Sequence, residues 1–451
     1  MRITIIGGGN VGYTIAENLA DEDHDITVID NDEQVLEKIN SELDVLCIKG
    51  NGASIATLKM AGIEKTDVLI ATTDRDELNM IACLAGKTLG AKYTIARIRD
   101  YDYAEEIKLI SEELKIDLVI NPESSTALQL SRLIRFPSAA DIETFYNGTV
   151  ELVGFRAREG DFFVGKTLSS VRNNKAAKAI LFCSVEHNGE TVIPDGSTVI
   201  SAGDRVFVVG NTLAVGEFFD ALGRTSKNIN NVIIVGGGRI SAYLTEALIP
   251  FNMDIKIIEK DYDTCVALSE RFPKSVIICG DGTDQSLLEV ENVADCNCFL
   301  AMTDRDEDNM ITSLYAKQQG AGKVIAKVNK QNYFSIIDSL DIDSVVSPKL
   351  ITAYRIIRAV RGIMNSQGSK MQSLYKIAGG EAEAIEFTVS GNTKNLGIPL
   401  RDLTIKKGIL LALIIRNGKP IIPEGSDCIK QGDDIIIVTR GYQILDINDI
   451  F

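Results

Sequence analysis

Short apolar runs rich in β-branched residues alternate with amphipathic stretches over residues 1–120. The runs are ITIIG, DITVID, DVLCIKG, VLIATT, YTIARI and DLVINP, and they are bounded by Gly, Asp or Pro. The stretches between them, near 11–21, 32–42, 54–61, 75–89 and 102–114, are expected to be helices. Because alternating strands and helices are typical of an α/β fold with a doubly wound parallel sheet, the sequence predicts a Rossmann-type domain.

The second half of the chain repeats the first. Residues 230–347 contain VIIVGG, DIKIIE, SVIICG, CFLAMT, KVIAKV and SVVSP in the same order. Residues 3–12 recur at 232–241, and TDRDELNM at 73–80 recurs as TDRDEDNM at 303–310 with seven of eight positions identical. A repeat of this length indicates a tandem duplication, in which one structural unit is used twice.

A proline precedes a further helical stretch in each half, since Pro122 leads into ESSTALQLSRLIRF and Pro348 into KLITAYRIIRAVRGI. The sequence that follows, at 143–210 and 373–440, is rich in short strands and in polar turns such as PDGS and PEGS. Asn-Gly at 188–189 and again at 417–418 is a strong hairpin signal. We therefore expect a small α+β domain at the end of each half.

These patterns predict a fixed order of domains. The parts are a first Rossmann domain (1–121), a linker helix (122–142), a first small α+β domain (143–225), a second Rossmann domain (229–347), a second linker helix (348–368) and a second small α+β domain (369–451). A length of 451 residues exceeds what one hydrophobic core supports, which agrees with several domains.

Charge and composition exclude several classes of function. The formal net charge of −16 disfavours nucleic acids and anionic membranes as partners, since both require clustered Lys and Arg. The longest apolar stretch, 409–415, is far shorter than the ~20 residues that span a bilayer. The first residues already form a strand pattern, so we expect a cytosolic protein without a signal peptide.

Histidine and cysteine content makes a metal site improbable on sequence grounds. His24 and His187 are the only histidines, which disfavours histidine acid–base chemistry. The eight cysteines lie mostly in apolar runs, as Cys279 does, and this is typical of free thiols in a reducing compartment. Cys296 and Cys298 form a weak zinc candidate without a nearby His, and we expect them to pack in the core instead.

The first glycine loop has the features of a dinucleotide site. Gly7-x-Gly9-x-x-Gly12 follows a strand and opens a helix, and Asp30 ends the next strand. The glycines permit a tight turn and close approach of a pyrophosphate to the helix N-terminus. The acid accepts hydrogen bonds from ribose hydroxyls, which favours NAD or an adenosine nucleotide over NADP. The expected contacts are Gly7, Gly9, Asn10, Val11, Gly12 and Asp30, with an unoccupied Rossmann fold as the structural alternative.

The second glycine loop departs from the first. Ser241 replaces the third glycine and adds a side chain where helix and strand pack closely, so the crevice is expected to shift slightly. Arg239 replaces Asn10 and either pairs with a polyphosphate or is a solvated surface arginine. We therefore expect two non-equivalent nucleotide sites. The expected contacts of the second are Gly236, Gly238, Arg239, Ile240 and Glu259.

The repeated TDRDExNM block follows the fourth strand of each Rossmann unit, at the edge where doubly wound folds bind ligands. Asp74-x-x-Glu77 and its copy have the form of a capping box at a helix start. Capping leaves the Arg, Asn and Met of the block without a role, so we also expect ligand contacts here. The expected contacts are Thr73, Asp74, Thr303 and Asp304.

Two further matched pairs lie at strand ends. Asn51 and Asp281 follow the third strands and either contact the base or form a turn through the side chain. Arg97 and Lys327 end the fifth strands and are expected to contact phosphate.

Two Rossmann units with these motifs, each followed by a small strand-rich domain with Asn-Gly and Pro-x-Gly turns, resemble the RCK family over essentially the whole chain. The resemblance implies a cytosolic homo-oligomeric ring, peripheral at the inner face of the plasma membrane, on a membrane potassium channel subunit. It also implies NAD(H) and ATP or ADP as ligands, whose exchange changes ring shape and gates the pore. In related rings an arginine on the glycine loop meets the phosphates, and only Arg239 matches.

Two other functions compete with this regulatory one. An NAD-dependent oxidoreductase is disfavoured because histidine is nearly absent, no proton donor lies in the repeated pattern, and the small domains are too short to hold a substrate. A transcriptional or metabolic redox sensor is disfavoured because the charge is acidic and no basic recognition helix is evident. We therefore expect a regulator rather than an enzyme.

Overall fold

A computed structural model describes the chain except residues 21, 23, 101–106, 136–138, 188, 225–228, 334–336, 338, 339, 341 and 365–369. The first lobe is a parallel sheet in the order β3-β2-β1-β4-β5-β6. Its strands are β1 (Arg2–Ile6), β2 (Asp25–Asp30), β3 (Leu46–Lys49), β4 (Val68–Ala71), β5 (Tyr93–Arg97) and β6 (Leu118–Ile120). Its helices are α1 (Asn10–Ala20), α2 (Glu33–Glu42), α3 (Ile55–Met60), α4 (Asp76–Leu89) and α5 (Ile107–Glu113).

This lobe confirms the predicted Rossmann-type sheet. All six apolar runs form strands. The central strands β1 and β4 bury side chains on both faces of the sheet, as parallel strands do, whereas the edge strand β3 is only partly buried. The predicted helices also form, with ends that differ by at most one residue where both ends are described. The start of the helix expected at 102–114 falls on residues outside the described part of the chain.

The first small domain follows the linker helix α6 (Pro122–Arg135). It is an antiparallel sheet in the order β10-β9-β11-β8-β7 with three helices. The strands are β7 (Asp141–Phe145), β8 (Val150–Arg156), β9 (Ile180–His187), β10 (Glu190–Val192) and β11 (Arg205–Asn211). The helices are α7 (Leu168–Val171), α8 (Lys175–Lys178) and α9 (Thr212–Ala221).

The second lobe has the same parallel topology, β14-β13-β12-β15-β16-β17. Its strands are β12 (Asn231–Val235), β13 (Asp254–Glu259), β14 (Val276–Cys279), β15 (Cys298–Ala301), β16 (Lys323–Lys327) and β17 (Ser344–Val346). Its helices are α10 (Arg239–Leu248), α11 (Tyr262–Arg271), α12 (Gln285–Val290) and α13 (Asp306–Gln319). Cys296 and Cys298 are buried in its core, as expected.

The second small domain follows α14 (Pro348–Met364) and repeats the antiparallel sheet as β18-β19-β22-β20-β21. Its strands are β18 (Lys370–Ile377), β19 (Ala382–Thr388), β20 (Ile409–Arg416), β21 (Lys419–Ile421) and β22 (Asp434–Thr439). Asn417 and Gly418 have φ of 51° and 75° and form the predicted hairpin turn. Asn188 of the other predicted turn lies outside the described residues.

Each linker helix packs on the Rossmann lobe of the other half. Buried Leu130 and Ile134 of α6 share one hydrophobic core with α10 and the second sheet. Ile356 and Val360 of α14 share a core with α1 and the first sheet. Buried Lys323 of β16 adds a polar link, since its Nζ donates to the carbonyl of Leu133 at 2.8 Å, near the end of α6. The two halves are therefore interlocked.

The two small domains pack against each other through their sheets. Phe145, Leu152 and Phe207 of the first share a core with apolar side chains of β19, β20 and β22 of the second. The ring of Phe145 meets that of Tyr375 edge-on at 5.0 Å, and Tyr375 donates to the carbonyl of Thr144 at 2.9 Å. These contacts give a two-sheet core of the kind found in β-sandwiches.

Arg361 near the end of α14 joins three parts of the chain. Its guanidinium is buried, and it pairs with Glu22, which follows α1, through Nε at 2.9 Å. The same group donates to both carboxylate oxygens of Glu383 in β19, at 3.1 and 3.0 Å. A second link lies beside it, where Lys376 of β18 contacts Asn18 of α1. Movement of α1 would therefore displace groups that contact the second small domain.

Replacing Arg361 with Ala is expected to destabilise the fold by about 3–5 kcal/mol, because the buried carboxylate of Glu22 and the partly buried one of Glu383 lose their cation. The matched control is Arg135→Ala at the equivalent position of α6, where the side chain is exposed over the Phe251 ring at 4.6 Å and contributes about 1 kcal/mol or less. Urea denaturation measures both variants. Equal losses of stability would contradict the proposed role of the buried cation.

Candidate functional site

The glycine loop of the first lobe lies where the strand order reverses, between β1 and β4. Gly7 has φ of +97°, which an L side chain rarely adopts, and its N–H donates to the carbonyl of Ile29 at 2.9 Å. A Cβ on Gly12 would stand 1.9 Å from the carbonyl oxygen of Gly7, whereas Gly9 faces open space. The loop therefore needs glycine at 7 and 12 and leaves room for a ligand at 9.

The acid at the end of β2 fixes this loop. Asp30 Oδ2 accepts from the N–H of Gly8 at 2.6 Å, and its Oδ1 accepts from the N–H of Asp32 at 2.9 Å. Glu259 repeats the arrangement in the second lobe, with Oε2 accepting from Gly237 N–H at 2.6 Å and Oε1 from Asp261 N–H at 2.8 Å. Each carboxylate oxygen retains lone pairs that can accept from a ribose hydroxyl.

The two glycine loops differ in which residue donates a hydroxyl hydrogen bond to the loop carbonyl, where the helix packs on the strand. In the first lobe, the hydroxyl of Thr72 donates to the carbonyl of Gly7 at 3.3 Å, beside Gly12. In the second, Met302 takes the place of Thr72, and Ser241 supplies the hydroxyl, donating to the carbonyl of Gly236 at 2.5 Å. The donating hydroxyl therefore follows strand β4 in the first lobe and lies in helix α10 in the second. The carbonyl that accepts its bond is at the equivalent position in both lobes, Gly7 or Gly236. The expected crowding at Ser241 is accommodated by this bond.

The remaining loop residues divide into buried and exposed ones. The side chains of Val11 and Ile240 pack into the cores below, so only their backbone groups are left to contact a ligand. Asn10 and Arg239 are exposed at the first positions of α1 and α10. Arg239 is therefore placed beside the free N–H groups of a ten-residue helix, where anions bind.

The TDRDExNM block does not form the expected capping box. Helix α4 begins at Asp76 with Arg75 as N-cap and no side-chain cap bond, and α13 repeats this. The prediction was wrong because Asp76 has a tertiary partner: its Oδ2 accepts from the N–H groups of Arg99 and Asp100, at 2.8 and 2.7 Å. Asp306 does the same with Asn329 and Lys330.

Asn79 gives the block its second structural role. This fully buried amide accepts from the N–H and hydroxyl of Thr73, at 2.9 and 2.7 Å, and donates to the carbonyl of Arg97 at 2.8 Å. Asn309 makes the same bonds to Thr303 and Lys327. The block therefore ties the end of β4 to the end of β5, and the Thr hydroxyl is already used within the fold.

The acidic and amide residues at the edge are exposed. Asp74 and Asp304 project into solvent, and Asp304 accepts from Lys327 Nζ at 3.1 Å. Asn51 Oδ1 accepts from the N–H of Ala53 at 3.0 Å, and Asp281 Oδ1 accepts from the N–H of Thr283 at 2.9 Å. The last two side chains thus form Asx turns, the alternative to base contact raised from the sequence.

A basic cluster lies at the carboxyl edges of the two sheets. Arg97 bonds only weakly to the carbonyls of Thr72 and Thr73, at 3.4 and 3.3 Å, and its Nε is buried without a partner. Burial, and then the charge of Arg99, lowers the pKa of Arg97. Lys349 of α14 was not identified from the sequence, because only the fold brings it near Arg97 and Lys327. Burial lowers the pKa of Lys349 most, although nearby Asp306 raises it.

The described residues contain no cluster of three or more His, Cys, Asp or Glu side chains placed to hold a metal ion. No helix in that part of the chain is long and apolar enough to cross a bilayer. Each edge presents the N-terminus of a helix, an acid anchored at the end of the second strand, Asp30 or Glu259, and a basic residue at the end of the fifth strand, Arg97 or Lys327.

Comparisons with known proteins identify related domains and folds. The TrkA-N domain model matches residues 3–122 and 232–348, and the TrkA-C domain model matches residues 152–223. Among solved structures, the GsuK RCK domain aligns with a TM-score of 0.63 at 16% identity, covering 98% of this chain and 92% of that one. The GsuK channel bound to NAD aligns with the same TM-score at 15% identity, covering 98% and 77%.

Curated relatives match from end to end. The Trk system potassium uptake protein TrkA of Halomonas elongata is 34% identical over 100% of this chain and 98% of its own length. TrkA homolog 2 of Methanosarcina mazei is 32% identical over 100% of both chains, and TrkA of Haemophilus influenzae is 34% identical over 97% and 95%. The chain belongs to the TrkA family of Trk system potassium uptake proteins.

Proposed function

We propose that this chain is a regulatory subunit that binds NAD(H), ATP or ADP in its two Rossmann lobes and gates a membrane potassium uptake channel of the TrkH or TrkG type. The observation that carries the proposal is the pair of glycine loops, each held open by an acid at the end of the adjacent strand, Asp30 or Glu259. This pair occurs in a chain similar over its whole length to Trk uptake proteins.

The ligand class is supported by the loop chemistry. Helix N–H groups and Arg239 suit phosphate, and the two acids suit ribose hydroxyls. Solved structures of the GsuK channel bound to NAD, and of GsuK bound to ADP with a TM-score of 0.50 at 14% identity, have a related fold. Because Asp30 is shorter than Glu259 and Asn10 is neutral where Arg239 is charged, the two lobes are expected to prefer different nucleotides.

Catalysis is the weaker alternative. An oxidoreductase needs a proton donor near the nicotinamide, and the repeated polar residues at the edge, Asp76 and Asn79, are bonded to backbone groups of the fold. His24 precedes β2 and so lies at the opposite edge of the sheet, and His187 lies in the first small domain, bonded to Asp204 at 2.5 Å. These placements support a binding function.

The contacts between halves provide a route from ligand to partner. A nucleotide at the first loop would contact the start of α1, and α1 packs on α14. From α14, Arg361 reaches Glu383 of the second small domain. A nucleotide that prefers one arrangement of these packed elements shifts their population by its differential affinity, without bond-making.

Assembly into a homo-oligomer is supported by equivalent exposed apolar side chains on the two lobes. Ile81 of α4 and Ile311 of α13 are 54% and 64% exposed. Met60 and Val290, at the ends of α3 and α12, are each 73% exposed. Because the duplication presents similar surfaces twice, copies of the chain can associate repeatedly and close into a ring peripheral at the inner face of the membrane.

Asp30→Asn and Glu259→Gln are each expected to remove one of two nucleotide sites per chain, because a neutral amide loses charge-assisted bonds to the loop N–H and to ribose. Calorimetric titration with NADH, NAD, ATP and ADP measures stoichiometry and affinity. Each variant serves as the control for the other, since the lobe left intact reports correct folding. Two sites retained in both variants would remove the assignment.

The regulatory part of the proposal has its own readout. Potassium uptake by cells that carry the channel subunit is expected to depend on this chain and to respond to nucleotide in the wild type more than in the double variant. Uptake unaffected by removal of the chain would contradict regulation while leaving nucleotide binding untouched.

Arg239→Ala is expected to weaken ATP binding at the second lobe by about tenfold, the size of a charge-assisted hydrogen bond, with a smaller effect on adenosine. Asn10→Ala is the matched control at the first lobe and should change ATP affinity little. Competition titrations with ATP and adenosine make the comparison. Equal loss of both ligands in Arg239→Ala would show that the guanidinium does not act on phosphate.

Ile81→Asp combined with Ile311→Asp is expected to dissociate the oligomer, because a charge is placed in each exposed apolar surface. Leu213→Asp is the control, since Leu213 is 73% exposed on α9 of a small domain. Light scattering on the purified chain gives the mass. A mass unchanged by the double variant would exclude these surfaces as subunit contacts.

A further inference from the structure

Two cysteines of the second lobe lie on elements that flank the main-chain carbonyl of Glu259. Cys265 lies in α11, and its Sγ donates to that oxygen at 3.2 Å. Cys279 ends β14, where its Cα is the register partner of Glu259, and the next N–H, of Gly280, donates to the same oxygen at 2.9 Å. Cys279 is two residues after Ile277, which packs in the same core as Leu268 of α11, so the Cys279 side chain lies on the face of the sheet that α11 covers. A dithiol therefore lies directly behind the acid that anchors the second glycine loop.

The two thiols differ in reactivity. Cys279 is exposed, so an oxidant in solution can reach it, whereas Cys265 is buried. Burial raises the pKa of Cys265 to about 11, so Cys265 stays a neutral thiol until a reactive sulfur forms beside it. This division suits one thiol that meets the oxidant and a second that resolves the product.

The first lobe has no such pair. The equivalents of Cys265 and Cys279 are Leu36, which is buried, and Lys49, which pairs with Glu33 at 2.7 Å. Of the two copies, only the second therefore has a cysteine at both positions. Cys47 lies in β3 of the first lobe, two residues before Lys49. It therefore serves as a control cysteine on the strand equivalent to β14.

We propose that Cys265 and Cys279 form a reversible disulfide when the protein meets a hydroperoxide, and that this modification lowers nucleotide affinity at the second lobe. Disulfides in cytosolic proteins are mostly transient and redox-sensing, which fits an exposed thiol beside a ligand site. The effect on nucleotide rests on the proposed function, whereas disulfide formation does not.

The chemistry balances in two steps. The Cys279 thiolate attacks one peroxide oxygen, the O–O bond breaks, and sulfenic acid forms with release of hydroxide. The Cys265 sulfur then attacks the sulfenic sulfur, the S–O bond breaks, and the thiol proton leaves with the hydroxyl as water. In sum, two thiols and one hydrogen peroxide give one disulfide and two waters. A dithiol reductant reverses the change by thiol–disulfide exchange.

Oxidation acts on the nucleotide site through Glu259. The disulfide removes the S–H donor from the Glu259 carbonyl and joins α11 to β14. Because the Glu259 carboxylate holds the N–H groups of Gly237 and Asp261, movement of its backbone displaces the loop that faces the nucleotide. The first lobe has no thiol at either position and is expected to be unaffected.

The test begins with hydrogen peroxide on the full chain. Trypsin releases Cys265 in residues 261–271 and Cys279 in residues 275–305, and further cleavage before Asp281 separates Cys279 from the two later cysteines. Mass spectrometry is expected to find the two fragments joined, lighter by two hydrogen atoms than their sum, and separated by dithiothreitol. Cys279→Ser, an exposed change that leaves the core intact, should abolish the link, as should Cys265→Ser, and Cys47→Ser should retain it.

Two outcomes overturn the proposal. One is oxidation of Cys279 to sulfinic acid without any joined fragment, which would show that Cys265 does not resolve it. The other is a joined fragment with unchanged affinity at the second lobe, where we expect about a fivefold or greater loss that dithiothreitol reverses. Absence of nucleotide binding by the reduced wild type would instead overturn the proposed function and leave the disulfide standing.

Discussion

Each Rossmann sheet in this chain buries part of one face under a helix that belongs to the other half. A parallel sheet is apolar on both faces and needs helices on both. The first sheet lacks part of this cover until α14 packs beside α1, and the second until α6 packs beside α10. This exchange joins the two lobes and places Lys349 of α14 near Arg97 of the first lobe and Lys327 of the second. The two small domains also pack sheet to sheet.

The glycine loops of the two copies differ in sequence, and the differences compensate each other. The hydroxyl that supports the loop carbonyl comes from Thr72 in one lobe and from Ser241 in the other. Lengthening of Asp30 to Glu259 preserves both backbone bonds of the carboxylate. Such paired changes keep the loop geometry while altering what surrounds it, so the proposed difference in nucleotide preference between the lobes is compatible with one shared scaffold.

Much of the fold could be predicted because its signals are local. β-Branched runs and glycine loops define strand order within one half, and the repeat then defines the other. The exchange of linker helices could not be predicted, since amphipathic periodicity shows that α6 buries a face but not which sheet covers it. Lys349 could not be predicted as a site residue for the same reason, because its neighbours come from distant parts of the chain.

The candidate sites were predictable to the same extent. The glycines, Asp30 and Glu259 were identified because a known loop geometry requires those residue types at that spacing. The acidic block was misinterpreted as a cap because Asp76 bonds across to the chain after β5, a contact that sequence spacing does not encode. Asn79 could have been found by asking why an amide recurs in a helix that it does not cap.

The exchange of helices also bears on how such a chain arose and how it can be divided. Two copies of a half-length ancestor would cover each other's sheets in the same manner, as a homodimer with swapped helices. Fusion of the genes then makes that pairing permanent, and each copy can accumulate its own substitutions. By the same reasoning, a cut in the segment between α9 and β12 should yield fragments that are insoluble when produced apart and that restore the whole when produced together.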